Sequence, residues 1–312
     1  MMIVGGLILV LVLLVAGFFA VTWAPDRPVA SLVPRWAPPP SVFVDIAGMK
    51  VHLRDEGPRD DVSPIVLIHG TGSYLHAWEG WVPALKKERR VITFDLPGFG
   101  LTGPSPDGDY SLEASVRFVV ALLDKLGVAH CVLGGNSLGG AISWATALME
   151  PSRVDKLILV DAGGYHAHST SIPLGFRIAR IPGINQMLSQ TLPRFLIASG
   201  MRNVFGDPSK VTDLMVDRAY ELTLREGNRQ AMVQRFNQPR RTSLAGRIPE
   251  IKVPTLIIWG GRDRLIPPDD AERFHRDIAG STLVIFDGLG HAPEEEDPAR
   301  TVVAVKQFLG LD

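Results

Sequence analysis

The sequence predicts an α/β protein: a mostly parallel eight-stranded sheet with helices on both faces and one large helical insertion. Three observations carry that expectation. Short, wholly apolar runs such as residues 65–68 and 91–94 recur along the chain and end in glycine-containing loops, as strands buried on both faces do. The segments between them place apolar residues at helical spacing. The alternation stops after Asp161 and resumes near Val253, and so long an interval between two strands must fold on its own.

The 312 residues carry 32 Lys and Arg against 33 Asp and Glu, a formal net charge of −1 that gives no basis for a nucleic-acid partner. The single cysteine, Cys131, excludes an internal disulfide and falls in an apolar run, where it reads as a small core residue. The eight histidines are scattered. His166 and His168 could share one face of a strand, but two histidines do not make a metal site, and no metal is expected.

Taken in order, residues 3–23 contain no charged side chain. As a helix that span would be roughly 30 Å long, enough to cross a bilayer. A cleaved leader would want a basic start and a small-x-small cleavage site, and this segment offers neither clearly. Residues 1–24 therefore read as an uncleaved transmembrane anchor. Six prolines among residues 25–40 suggest an extended, semi-rigid spacer. Residues 42–46 and 49–54 flank Ala47-Gly48 and read as a hairpin. Strands at 65–68 and 91–94 follow, with Trp78, Trp81, Val82 and Leu85 at helical spacing between them. Ser111 can start the next helix, whose apolar stripe is Val116, Val119, Val120 and Leu123. Strands at 130–133, 157–160, 253–259 and 283–286 complete the count, and residues 299–309 form a closing helix. Residues 166–248, with helical patches such as 214–224, make a helical cap inserted after the sixth strand.

The chemistry centres on Gly134-Gly135-Asn136-Ser137-Leu138-Gly139-Gly140, between a predicted strand and a predicted helix. A G-x-S-x-G turn in that context strains the serine backbone and lifts its hydroxyl above the sheet. Its plainer reading is a glycine-rich turn with an incidental serine, but a base and an acid follow downstream. Asp263 and His291 come after two late strands. Alone, each reads as a loop residue; in the order serine, acid, histidine they make an orienting acid and a general base. Asp161 is the rival acid, its plainer role being a loop residue at the base of the cap. The oxyanion donors are expected to be the N–H of Leu138 and that of Thr71, in the loop His69-Gly70-Thr71-Gly72. His69 and the Asp95-Leu96-Pro97-Gly98 turn read as structural.

These motifs, with Gly98-Phe99-Gly100, Gly261-Arg262-Asp263 and Gly290-His291, give residues 42–312 a resemblance to the α/β-hydrolase superfamily. The cap stretches 203–207 and 222–230 resemble the bacterial lipases and esterases called family V. The resemblance implies an α/β-hydrolase core at 41–165 and 249–312, and a serine carboxylesterase or lipase working through an acyl-enzyme without a cofactor. A small-molecule ester of short to medium acyl length is the expected substrate. Serine at the elbow argues against the aspartate-dependent dehalogenases and epoxide hydrolases. The alternatives are a carbon–carbon bond (meta-cleavage product) hydrolase, whose elbow is similar, and a non-catalytic binding protein of the same fold. Ile172, Leu174, Phe176, Ile178, Ile181, Ile184, Met187 and Leu188 would pack the cap or line an acyl cleft. Arg27 and Arg35 follow the anchor and favour a cytoplasmic catalytic domain, against which stands the resemblance to secreted lipases. Oligomeric state is left open.

Overall fold

The computed structural model describes residues 9, 13, 16–165, 168–181, 190–238 and 244–312. Its sheet has eight strands: β1 (Val42–Ile46), β2 (Met49–Glu56), β3 (Ile65–Ile68), β4 (Val91–Phe94), β5 (Cys131–Asn136), β6 (Val154–Val160), β7 (Thr255–Gly260) and β8 (Thr282–Phe286). They lie in the order β1-β2-β4-β3-β5-β6-β7-β8. β1 and β2 form the expected hairpin with Ile46 opposite Met49, and β2 runs antiparallel to β4. Ala47 and Gly48, at φ 48° and 79°, supply the left-handed pair that a two-residue hairpin needs. Every other pairing is parallel.

In chain order the helices used below are α1 (Val29–Trp36), α2 (Leu112–Lys125), α3 (Leu138–Met149), α4 (Leu174–Ala179), α5 (Arg194–Val204), α6 (Asp213–Thr223), α7 (Asn228–Asn237), α8 (Asp269–Asp277) and α9 (Pro298–Leu309). The pleat explains the wholly apolar strands. Val66 and Ile68 join one core with Val119 and Leu122 of α2, Ile142 of α3 and Phe274 of α8. Their neighbours Ile65 and Leu67 face the opposite core, with Trp78, Trp81 and Val302 of α9. Ser111 does cap α2, its hydroxyl accepting from the Ala114 N–H at 3.2 Å. Cys131 is buried and free.

Helices α4 to α7 fall between β6 and β7, and no described residue of 168–238 belongs to a strand of the sheet. His166 lies outside the described residues, and His168 sits in irregular chain rather than a strand. Of the apolar cap residues, Ile184, Met187 and Leu188 also lie outside them.

The N-terminal region departs from expectation. Residues 16–22 are helical, but among the described residues no helix is long and apolar enough to cross a membrane. Most of the remaining anchor stretch lies outside the described residues. The proline-rich segment is not an extended spacer. Val29, Leu32, Val33 and Trp36 recur at helical spacing and form one side of α1, packing with Tyr74, Leu101, Ala219 and Leu222. The Trp36 indole N–H donates to Glu221 at 2.6 Å, and the Trp36 carbonyl accepts from His76 at 2.9 Å. Arg27 pairs backbone to backbone with the cap at Leu224 and Glu226. The prolines stand mostly at the ends of α1, where a missing N–H costs little, and only Pro34 is inside it.

Candidate active site

The sheet order sets the loops after β3, β5, β6 and β7 side by side, at the carboxyl edge where open α/β sheets carry their ligands. Ser137 stands there between β5 and α3 with φ 53° and ψ −112°, a strained conformation for any side chain. The surroundings hold it: its N–H donates to Val160 O at 2.9 Å, and its carbonyl accepts from Gly163 N at 2.9 Å. The glycines are sterically required. A Cβ on Gly135 would strike the backbone of Gly139 and Gly140, and one on Gly139 would strike the carbonyl of Ile68. The loop after β3 presses equally close, since a Cβ on Gly70 would lie 3.2 Å from the Ser137 Cβ.

Asp263 and His291 meet as the sequence order predicts. His291 Nδ1 lies 2.6 Å from Asp263 Oδ2, and both residues are buried. Asp263 Oδ1 accepts from the N–H groups of Leu265 and Ile266 at 2.7 and 3.0 Å, so the carboxylate cannot swing away. His291 Nε2 is buried, without a hydrogen-bond partner among the described residues, and His291 lines the same cavity as Ser137, Leu138 and Thr71. With Nδ1–H given to Asp263, Nε2 is the basic nitrogen.

Asp161 comes to the same place. One ligating atom each of Asp161, Asp263 and His291 lie within 4.8 Å of one another. Asp161 Oδ1 accepts from Gly260 N at 3.0 Å. Burial, then the charge of Asp263, pushes the Asp161 carboxyl well above the usual carboxylate range. Of the two carboxyl groups, Asp263 is the one bonded to the imidazole. These three atoms could ligate a cation by distance alone, but Asp263 already spends both oxygens on N–H donors.

Two positioning residues escaped the sequence reading. Asn136 Nδ2 donates to the His291 carbonyl at 2.8 Å, tying the base to the elbow; its place beside Ser137 was a signal available in the sequence. Glu296 accepts from Gly290 N and Gly206 N at 2.8 Å and from Asp207 N at 2.7 Å. It clamps the histidine loop to the cap, and nothing in the run Glu294-Glu295-Glu296 distinguishes it beforehand. The cap also touches the base directly, because His291 N–H donates to Val204 O at 2.7 Å. His69 is structural: its Nε2 accepts from Leu96 N at 2.9 Å, and burial lowers its pKa to about 4. Asp95 is likewise structural, holding His52 at 2.7 Å and the N–H groups of Leu75 and Leu101 at 2.8 Å.

Between the sheet edge and the cap lies a cavity of about 1710 Å³. Phe176, Ile172 and Leu196 of the cap face it from one side and the elbow from the other.

A strained serine on a strand–turn–helix elbow, with a histidine–aspartate pair at the ends of later strands, is the arrangement characteristic of the α/β-hydrolase fold. A family model described as the alpha/beta hydrolase fold matches residues 63–298, and the chain belongs to that family. It is 30% identical over 273 residues to a 2-hydroxymuconate semialdehyde hydrolase of Pseudomonas sp. (strain CF600), spanning 84% of this chain and 91% of that one. Among solved structures it resembles a meta-cleavage product hydrolase of Pseudomonas fluorescens IP01, with a TM-score of 0.73 and 28% identity over 86% of this chain and 97% of that one. A membrane phospholipase A shares the fold, with a TM-score of 0.71 and 24% identity, over 99% of this chain and 97% of its own. The first two relatives fall in the class held above as the alternative to an ester hydrolase.

Proposed function

We propose that this protein hydrolyses a carbon–carbon bond beside a ketone in an anionic dienoate of the meta-cleavage type. The observation that carries the reading is the likeness to 2-hydroxymuconate semialdehyde hydrolase over 84% of the chain; the family match at residues 63–298 includes the elbow and His291. In this reading Ser137 Oγ attacks the ketone carbon while His291 Nε2 takes its proton. The N–H groups of Thr71 and Leu138 receive the developing oxyanion. The carbon–carbon bond then breaks, its electron pair passing to the leaving carbon, which takes the proton from the His291 imidazolium. Water, deprotonated by His291, releases the acyl group from Ser137 as a carboxylic acid. Asp263 orients the imidazole throughout. No cofactor enters the scheme.

The test is turnover of a 2-hydroxy-6-oxo-dienoate, followed by loss of its conjugated absorbance, against aryl esters of graded acyl length. Expected is a kcat/KM on the dienoate at least about tenfold above that on the best ester, a difference of 1.4 kcal/mol in transition-state binding. Ester turnover with none on the dienoate would overturn the reading in favour of a carboxylesterase. That second reading has its own support. The cavity, at about 1710 Å³, exceeds what most small ligands fill, and an acyl chain in it would contribute about 0.8 kcal/mol per buried methylene.

We also infer that residues 1–24 hold the chain at a membrane, with the catalytic domain on the cytoplasmic side. The uncharged run of residues 3–23 supports this, as do the exposed side chains of Leu9, Leu13, Phe18, Val21 and Trp23. Deleting residues 1–24 should move the protein from the membrane fraction to the soluble one. Full-length protein already in the soluble fraction would refute the anchor, and digestion by protease added outside intact spheroplasts would refute the cytoplasmic side.

A further inference from the structure

The cavity is bordered by a cation that the catalytic scheme does not use. Arg235 of α7 lines it together with Phe99 and Tyr110. Its guanidinium lies 5.0 Å from the Phe99 ring centroid and 4.9 Å from that of Tyr110. Among the described residues it donates to two protein groups, the carbonyls of Tyr110 at 3.3 Å and Pro97 at 3.1 Å. A guanidinium has five N–H donors, so donors remain.

No carboxylate among the described residues pairs with Arg235. The undescribed stretches contain no Asp or Glu at all. Of the other arginines at the cavity, Arg229 is neutralised by Asp26 and Arg273 by Asp270 at 3.1 Å, while Arg180, over the Phe236 ring, also lacks a carboxylate among the described residues but is exposed to solvent, where water offsets its charge. Burial holds the Arg235 guanidinium down to about 10, which still leaves it charged at neutral pH. A partly buried cation without a counter-ion is costly to keep. Aromatic faces offset part of that cost, and a bound anion would offset far more.

The site stands within reach of the chemistry. Phe99 packs edge-on against His69 at 5.5 Å, and His69 adjoins Gly70, whose Cα faces Ser137. One ring therefore separates the guanidinium from the oxyanion loop.

We propose that Arg235 is the anion subsite of this cavity, binding a carboxylate carried by the substrate at the end remote from the carbonyl that Ser137 attacks. This deepens the proposed function and rests on it for the identity of the anion, a dienoate carboxylate. Held there, the carboxylate fixes which carbonyl of an extended substrate reaches the serine.

The test uses the full-length protein and two aryl esters of matched acyl length, mono-p-nitrophenyl glutarate and p-nitrophenyl valerate. The wild type should favour the anionic ester in kcat/KM. Arg235→Met should lower the ratio of anionic to neutral ester by about tenfold or more, chiefly through KM, and Arg235→Lys should restore part of it. An equal loss on both esters, or an unchanged ratio, would reduce Arg235 to a tie between α7 and the Pro97 loop and overturn the proposal. Should Arg235→Met fail to fold, inhibition of the wild type decides. Glutarate should compete with the ester and glutaramide should not; equal inhibition by both overturns the proposal. Because neither ester is a dienoate, a preference for the anion without dienoate turnover would sink the carbon–carbon reading and leave the subsite standing.

Discussion

Ser137→Ala is expected to lower kcat by about 10³-fold or more on whichever substrate class the protein turns over, while leaving it folded. The side chain is small, and its loss leaves the elbow's backbone bonds to Val160 and Gly163 in place. What disappears is the hydroxyl held on a strained turn in the cavity that His291 also lines. The left-handed φ of 53° costs of order 1–3 kcal/mol and is sustained by the packed glycines around it. Alanine tolerates that conformation no worse than serine does, so thermal unfolding should be nearly unchanged. Residual activity would come from the oxyanion donors and from binding. Rates of wild type and variant within about tenfold of one another would remove Ser137 from the nucleophile's role, and a serine-directed phosphonate labelling another residue would do the same.

Asp263→Asn should cost about 10³- to 10⁴-fold in kcat, whereas Asp161→Asn should cost less than about tenfold. Both aspartates are buried at the ends of neighbouring strands, and both come within 4.8 Å of His291, so proximity alone does not separate them. Hydrogen bonding does. Asp263 receives the His291 N–H and two backbone N–H groups. Asp161 does not bond the imidazole; burial and the charge of Asp263 raise its pKa, and asparagine is a neutral group of the same shape. At Asp263 asparagine would present an amide to Nδ1 and favour the wrong tautomer. Steady-state kinetics on both variants, with the pH profile of kcat/KM, checks this. If Asp161→Asn is the more damaging change, the acid is Asp161 and the role of Asp263 is structural.

Much of this was legible beforehand because the signals are local. A strand buried on both faces must be wholly apolar, so residues 65–68, 91–94 and 157–160 announce themselves without their neighbours. The elbow is legible for a similar reason, since only glycine clears the Gly135–Gly139 approach. Asp263 and His291 were found by order along the chain, and each would have passed for a loop residue by itself.

Other features depend on partners far away in sequence. The proline count of residues 25–40 pointed to an extended spacer, and it masked the stripe Val29, Leu32, Val33 and Trp36, whose meaning needs Leu222 and Glu221 of the cap to exist. Glu296 looked like its two neighbours until the fold brought Gly206 and Gly290 to its oxygens. Arg235 was one arginine among many until the fold left it beside the cavity with two aromatic rings and no carboxylate. The sequence by itself determined the sheet, the elbow and the order of nucleophile, acid and base, because periodicity and backbone sterics act over a few residues. Only the tertiary structure decided which carboxylate meets the imidazole and which cation is left beside the cavity between aromatic rings, because burial and counter-ions come from chain segments a hundred residues apart.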